Sequence, residues 1–395
     1  MGIFSKFKRY NFNMASSKAV DLFQQGEYEK SKDIFLQLLK MNYAPVECND
    51  YLFEIYYNLG DLDNALLHLN NSLEINPNNI DNIINKGIVL YELDKNDEAL
   101  EYYNNALLLD DRNENARVGK LSVLVEQGKY DEAKSFYNSI VVNTNEDYIL
   151  AMYATLLYVL NMLDDALKYS NKSLQINNNN VEYWNTKGLI LSRLKKYDES
   201  LKCFNYALSL NPNHINSLIN KGSLYDELSE YDEAIACFNK ALQINANDVV
   251  AWANLSNSYR LSKDYDNSIM SIDKALKLNP NDEILWDKKG LYLDEMTKYD
   301  EALICFDKAL EINPKSINVL INKANTLFHL KRFNEALNVI EKAFSLDGNC
   351  RDIALVKIKI LKELNMNNEA DILEKEAKDM PEIEDRSLIH GKLFY

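Results

Sequence analysis

The chain lacks the features that mark most other classes of protein. It has no apolar run of about 18 residues or more, so no membrane-spanning helix is expected. A secretory leader is not expected either, for want of its apolar middle region. Glycine and proline are scarce, 11 and 6 among 395 residues. No Ser/Gly-rich or Pro-rich tract divides the sequence into separate domains. Histidine occurs four times, at His68, His214, His329 and His390, and none belongs to an HExxH pair. CxxC, GxSxG, GxGxxG, phosphate-loop and EF-hand patterns are missing too. Acid pairs such as Asp300-Glu301 are explained by helix starts and solvation. The expectation is therefore no enzyme, no metal and no cofactor.

The five cysteines, Cys48, Cys203, Cys237, Cys305 and Cys350, form no obvious framework. Three of them stand just before Phe204, Phe238 and Phe306, a regularity that suggests a ladder of ligands. Neighbouring packed helices lie about 8–10 Å apart, whereas disulfide Cα atoms stay within about 7 Å and zinc–sulfur bonds are about 2.3 Å. Small core-facing thiols fit better, and nothing points to an oxidising compartment. Positive charge is also short: 44 basic against 60 acidic side chains give a net charge of −16. Phosphate backbones draw on clustered Lys and Arg, so a nucleic-acid partner is not expected. A basic or neutral protein segment is. Binding of such a segment should weaken with rising salt.

What the chain does have is a period. Ala65, Ala99, Ala133, Ala166, Ser200, Ala234, Ser268, Ala302, Ala336 and Ala370 follow one another at 34 residues, with a single step of 33 from Ala133 to Ala166. Four residues later comes a large apolar side chain, as at Leu69, Tyr103, Phe204, Phe238 and Phe306. Three further on the small residue returns, as at Ala106, Ala207, Ala241 and Ala309. Steps of four and three stay on one helical face. The preceding stretch has its own stripe: Trp184, Gly188, Leu191, then Leu218, Gly222, Tyr225, then Trp286, Gly290, Leu293. Glycine inside a helix costs about 1 kcal/mol relative to alanine, so its recurrence predicts a close helix–helix contact. Asp198, Asp232, Asp266 and Asp300 are expected to cap the second helix, with Glu199, Glu233 and Glu301 in its first turn. Asn76-Pro77, Asn211-Pro212, Asn279-Pro280 and Asn313-Pro314 end it.

These residues resemble the tetratricopeptide repeat family, whose 34-residue helix–turn–helix unit carries a W…L-G…Y…A…F…P pattern. The units from Trp184 to Pro212, Leu218 to Ala246, Trp252 to Pro280 and Trp286 to Pro314 carry it best. The resemblance implies an all-α fold, a right-handed superhelical solenoid of tandem helix–turn–helix repeats. Eleven units fit: 12–45, 46–79, 80–113, 114–146, 147–180, 181–214, 215–248, 249–282, 283–316, 317–350 and 351–384, the last a cap. Residues 1–11 form a basic leader and 385–395 a tail. A single solenoid is expected, stabilised by contacts between neighbours.

The resemblance also implies a non-catalytic scaffold that binds an extended peptide or partner protein along its first helices. Asn85, Asn220, Asn254 and Asn322 fall on one equivalent site there, with Thr186 in another repeat. In some family members such a row holds a peptide backbone, since one amide offers a donor and an acceptor. Asn257, Asn325, Asp226, Arg260, Asp287, Asp294, Tyr57 and Tyr91 complete the candidate binding set. The sites matching a clamp for a chain-terminal carboxylate hold Asp50, Ile84, Asn185, Ile219, Ala253, Asp287 and Ile321, without a lysine, so that ligand is not expected. At the start, Ile3, Phe4 and Phe7 alternate with Lys6, Lys8 and Arg9. This suits a basic amphipathic segment on a membrane surface through residues 2–10, and gives a second reading, a peripheral membrane adaptor. Either role places the chain in the cytoplasm. The final SLIHGKLFY is expected to fold back or to engage another chain.

Overall fold

A computed structural model of the chain describes residues 3–140, 144–378 and 380, with side chains from residue 13 onward. Among the described residues there are 22 α-helices and no strand. They fall into two compact units, Met1–Asn177 and Asn178–Tyr395. The first unit holds first helices α1 (Ile3–Gln24), α3 (Pro45–Asn58), α5 (Ile80–Glu92), α7 (Glu114–Glu126) and α9 (Asp147–Val159). Their second helices are α2 (Tyr28–Lys40), α4 (Leu62–Ile75), α6 (Asn96–Leu109), α8 (Tyr130–Ser139) and α10 (Leu163–Ile176). In the second unit the first helices are α11 (Val181–Arg193), α13 (Ile215–Glu227), α15 (Val249–Leu261), α17 (Glu283–Glu295), α19 (Ile317–His329) and α21 (Arg351–Glu363). They alternate with α12 (Tyr197–Leu210), α14 (Tyr231–Ile244), α16 (Tyr265–Leu278), α18 (Tyr299–Ile312), α20 (Phe333–Leu346) and α22 (Asn367–Glu376). Within each unit most helices pack on the next in sequence, and several first helices of successive pairs also touch, as α13 does α15. The fold is an all-α repeat solenoid.

The small-residue stripe is the core of each pair. Ala65, Ala99, Ala234, Ala302 and Ala336 have no exposure, nor do Phe204, Phe238 and Phe306 a turn later. The recurrent glycine faces those rings. A Cβ on Gly188 would lie 2.5 Å from Phe204, on Gly222 2.8 Å from Phe238 and on Gly290 2.5 Å from Phe306. The aromatic ring occupies the room that a side chain would need. Where serine replaces the alanine it gains a partner twelve residues back. Ser31 donates to the Ala19 carbonyl at 2.8 Å, Ser200 to Gly188 at 2.7 Å and Ser268 to Ser256 at 2.8 Å. These buried hydroxyls are thereby satisfied. Cys203 and Cys305 lie in the same core, and burial pushes both thiols up to about 11. Cys237 is only half-buried.

The helix boundaries correct one expectation. The second helices begin at the tyrosine, so Asp198, Asp232, Asp266 and Asp300 sit one residue inside the first turn, and the capping positions are Lys196, Glu230, Asp264 and Lys298. Of these only Asp264 accepts a bond, from the Asn267 N–H. The aspartates therefore act on the helix dipole and not as caps. True caps open the first helices, where Asn180, His214, Asp248 and Asp282 accept from backbone N–H groups. Each tryptophan ties the same end down. The indoles of Trp184, Trp252 and Trp286 donate to the carbonyls of Asn178, Ala246 and Pro280 at 2.8, 2.9 and 2.9 Å. Between the two helices of a pair stands a residue with positive φ. In the second unit it is Lys195, Ser229, Lys263, Thr297, Lys331 and Asn365, never glycine.

The fold departs from regularity where the period shortens. There α8 has only 10 residues. A polar cluster fills the space: Arg117 pairs with Glu114 at 3.1 Å, and Tyr153, fully buried, donates to Glu114 at 2.8 Å. Tyr137 and Tyr169 flank the Tyr153 ring. At the far end Ile353, Val356, Ile360 and Leu361 are buried, while Glu374 and Glu376 are exposed. Helix α1 runs back to Ile3, through the residues read as a leader. Gly2, the side chains of Ile3, Phe4, Lys6, Phe7, Lys8 and Arg9, and the tail 385–395 lie outside the described residues. No described helix is long and apolar enough to cross a membrane.

Candidate functional site

The first helices share one outward stripe, read at steps of four, three and four. In the second unit it runs Asn216, Asn220, Ser223, Glu227 on α13. It continues as Val250, Asn254, Asn257, Leu261 on α15, as Ile284, Lys288, Leu291, Glu295 on α17, and as Asn318, Asn322, Asn325, His329 on α19. The same spacing that turns Trp and Gly toward the core leaves these residues at the surface. Val250 and Ile284 are 57% and 55% exposed, and Leu291 is exposed as well. Other large exposed apolar side chains of this unit mostly lie on second helices, so an exposed apolar group on this stripe distinguishes α15 and α17.

Several candidate residues prove to be engaged with one another across repeats. Asn220 donates to Asn185 Oδ1 at 3.0 Å, and Asn322 donates to both oxygens of Asp287 at 3.0 and 3.2 Å. Each bond joins residues 35 apart, an asparagine to a polar group of the preceding first helix. A second tie runs near the other end of the helices. Asp226 accepts from Ser258 at 2.8 Å, Asp294 accepts from Thr326 at 2.6 Å, and Arg260 pairs with Glu295 at 2.9 Å. Arg260 also donates to Asn257 at 3.0 Å and lies 5.5 Å from the centre of the Tyr292 ring. In the first unit Tyr57 donates to Glu92 by the same 35-residue step. Asp50 there accepts from Ser72 at 2.6 Å and from Asn82 at 2.8 Å.

The row of asparagines is thus two populations. Asn220 and Asn322 give their donors to the preceding helix and keep acceptor capacity at Oδ1. Asn85, Asn254 and Asn325 have no side-chain partner among the described residues. At the 35-residue offset the residue opposite Asn254 is Ile219, which has no acceptor on its side chain. Tyr91 is half-buried beside the α5–α6 core.

Charge at this face is set by burial. Asp287 is pushed up to about 6 by desolvation, against the bond from Asn322. Asp226 is raised for the same reason, against the bond from Ser258. Its Oδ1 atom is buried without a partner. Lys288 is held below the ordinary lysine range by desolvation. Reading residue types alone overlooked this lysine and the exposed Val250, Ile284 and Leu291. The register contained Lys288: it stands 34 residues after Asn254 and 34 before Asn322.

Comparison with known proteins follows the same lines. Family models for the tetratricopeptide repeat match residues 54–79 and 84–148. A model of the middle TPR-like domain of cilia and flagella-associated protein 70 matches residues 150–279, and one of subunit 3 of the anaphase-promoting complex matches 261–343. Among curated proteins no sequence relative matches. Of solved structures, yeast Tom70 is similar over 95% of this chain and 93% of its own, at 16% identity and a TM-score of 0.54. A tetratricopeptide repeat protein from Parabacteroides merdae covers 71% of this chain and 98% of its own, at 18% identity and a TM-score of 0.48. Period, helix pairing and the family-model matches agree: the chain is a tetratricopeptide repeat protein. The likeness to Tom70 is one of fold.

Proposed function

We propose that the chain is a non-catalytic scaffold whose first helices bind an extended peptide segment of a partner protein, basic or neutral in overall charge. The observation that carries this reading is the pair of unengaged amides, Asn254 and Asn325, on a face that also exposes Val250 and Ile284. An amide presents one donor and one acceptor in the geometry of a peptide backbone, so it binds an extended chain with little regard for its side chains. Apolar groups beside it add area and preference. The net charge of −16 supports a basic or neutral segment over an acidic one. Five free cysteines suit the cytoplasm.

The test is a selection of random 12-residue peptides on the immobilised full chain, followed by titration of the enriched peptides. Asn254→Ala with Asn325→Ala should weaken them by about tenfold or more, the scale of one or two lost hydrogen bonds. Enriched peptides indifferent to both substitutions would place binding elsewhere.

A second reading, the peripheral membrane adaptor, draws support from α1, which is helical from Ile3. On a helix residues 3, 4 and 7 share a side, and in this sequence they are Ile, Phe and Phe. Sedimentation with anionic liposomes should fall when residues 2–10 are removed; equal recovery with and without them rejects the anchor.

A further inference from the structure

The second helices of the second unit carry a pattern of their own on the side turned to solvent. On α16 a turn-by-turn stripe reads Asp266, Met270, Lys274, and all three are exposed. On α18 the same register holds Asp300, Ile304 and Lys308, again all exposed. On α14 it holds exposed Asp232, Ala236 and Lys240. Steps of four keep each triad on one side of its helix, and the 34-residue period puts the triads in register. An acidic row, an apolar row and a lysine row therefore run side by side across three successive second helices. The pattern stops on both flanks. Helix α12 has Lys202 at the middle position, and α20 has Asn334 and Asn338 in place of the acid and the apolar residue.

The fold does not use the middle row. Met270 is 52% exposed and Ile304 61%, whereas Ile272, Ala275, Phe306 and Ala309 on the same two helices have no exposure. Apolar side chains left in water side by side, with polar groups around them, mark a contact surface. Most of those polar groups are free to take an outside partner. The side chains of Asp232, Asp266, Lys240 and Lys274 form no hydrogen bond or ion pair with a described residue. Lys308 pairs with Glu311 at 2.7 Å, an exposed contact within one helix and of small worth. Asp300 acts on Arg332, whose own partner is Glu335. A groove of about 450 Å³ follows α16 here, lined in part by Asp266, Ile269, Met270 and Lys274.

A two-fold axis laid along the middle row brings this surface onto itself. It turns the helices of one copy antiparallel to those of the other, sets apolar row on apolar row, and exchanges the acidic row with the lysine row. Asp266 then meets Lys274 of the second copy, and Lys274 meets its Asp266, as an isologous contact requires. An axis along the helices would instead set acid on acid and lysine on lysine, so the charges select one arrangement. We infer that the partner of this surface is a second copy of the chain, docked antiparallel through α14, α16 and α18 about Met270 and Ile304. The inference is independent of the peptide-binding reading. It leaves the first helices uncovered, so a pair of chains presents that face twice. Three helix faces make a small interface, near the lower limit of about 1,200 Å² for specific contacts, and association in the micromolar range is expected.

Analytical ultracentrifugation of the full chain from about 1 to about 200 µM tests this. The expected result is a monomer–dimer equilibrium with no larger species. Met270→Glu combined with Ile304→Glu should weaken the dimer about tenfold or more, because carboxylates then stand where apolar groups met. The melting temperature of that variant, measured on the monomer, should match the parent, since both side chains lie outside the core. Asp266→Lys and Lys274→Asp each set like charges opposite one another across the axis, so each alone should also dimerise about tenfold or more weakly. Mixed together, these two variants should regain the association of the parent, since each supplies the charge that the other lacks. Recovery on mixing separates charge pairing from damage to the fold, because a misfolded variant is not rescued by its counterpart. A chain that stays monomeric overturns the inference and leaves the surface to a different protein. A dimer indifferent to all four substitutions overturns it too, by placing the contact elsewhere. Single swaps that weaken the dimer without recovery on mixing would reject the antiparallel pairing and with it the inference. Oligomers that keep growing with concentration would show a head-to-tail contact and overturn it as well.

Discussion

Phe238 and Gly222 illustrate how single residues define this molecule. The ring of Phe238 has no exposure and lies where the first methyl of any side chain at 222 would be, at 2.8 Å. Gly222→Ala is therefore expected to destabilise the protein by about 1–3 kcal/mol, through overpacking that exceeds the gain in helix propensity. Phe238→Leu in the same chain should recover part of that loss by making room. Thermal unfolding of the single and double variants measures both; a neutral Gly222→Ala would show that the ring has space to move. This contact was legible in the sequence, because Gly, Ala and Phe recur in register and a helix has one period. The turn residues were not. Thr297 and Lys263 hold positive φ, the region that favours glycine, and nothing in their side chains announces it. The Schellman-type bonds around them, such as Lys298 N–H to the Leu293 carbonyl at 2.9 Å, impose that conformation from the ends of the packed helices.

Between helices, the polar side chains tie one first helix to the next. Asn220 with Asn185 and Asn322 with Asp287 are interhelical bonds. Sequence spacing placed all four on one face but could not tell a ligand contact from a lateral one. That distinction depends on the offset of neighbouring helices, which brings together residues 35 apart rather than 34. Asp287 makes the tie pH-dependent. Its carboxyl is raised from the usual range to about 6, so its ionisation opposes folding as pH rises from about 4 through 6. Asp287→Asn keeps an acceptor for Asn322 and removes the charge. The variant should melt higher than the parent at pH 7.5, by about 1 kcal/mol once solvent screening is allowed for. The two should converge near pH 4, where Asp287 in the parent is protonated in the native state. A constant difference across that range would show that the charge of Asp287 is not the cause. His68 has the opposite sign. Buried beside Asn49, it is held below its ordinary value, so acidification through about pH 6.5 withdraws stability around α3 and α4.

For the molecule as a whole, repetition determines the fold, and the proposed function rests on side chains that the repeated core leaves uncovered. The repeated residues are those that each helix pair buries against its neighbours. Asn254 and Asn325 face away from that core, as do Val250, Ile284 and Leu291. In the proposed function they serve recognition. Hydrogen exchange of the full chain, with and without a peptide selected on it, tests this most directly. The account predicts slowed exchange along α15, α17 and α19 and unchanged exchange in the paired second helices α16, α18 and α20. Slowing confined to the second helices would contradict it.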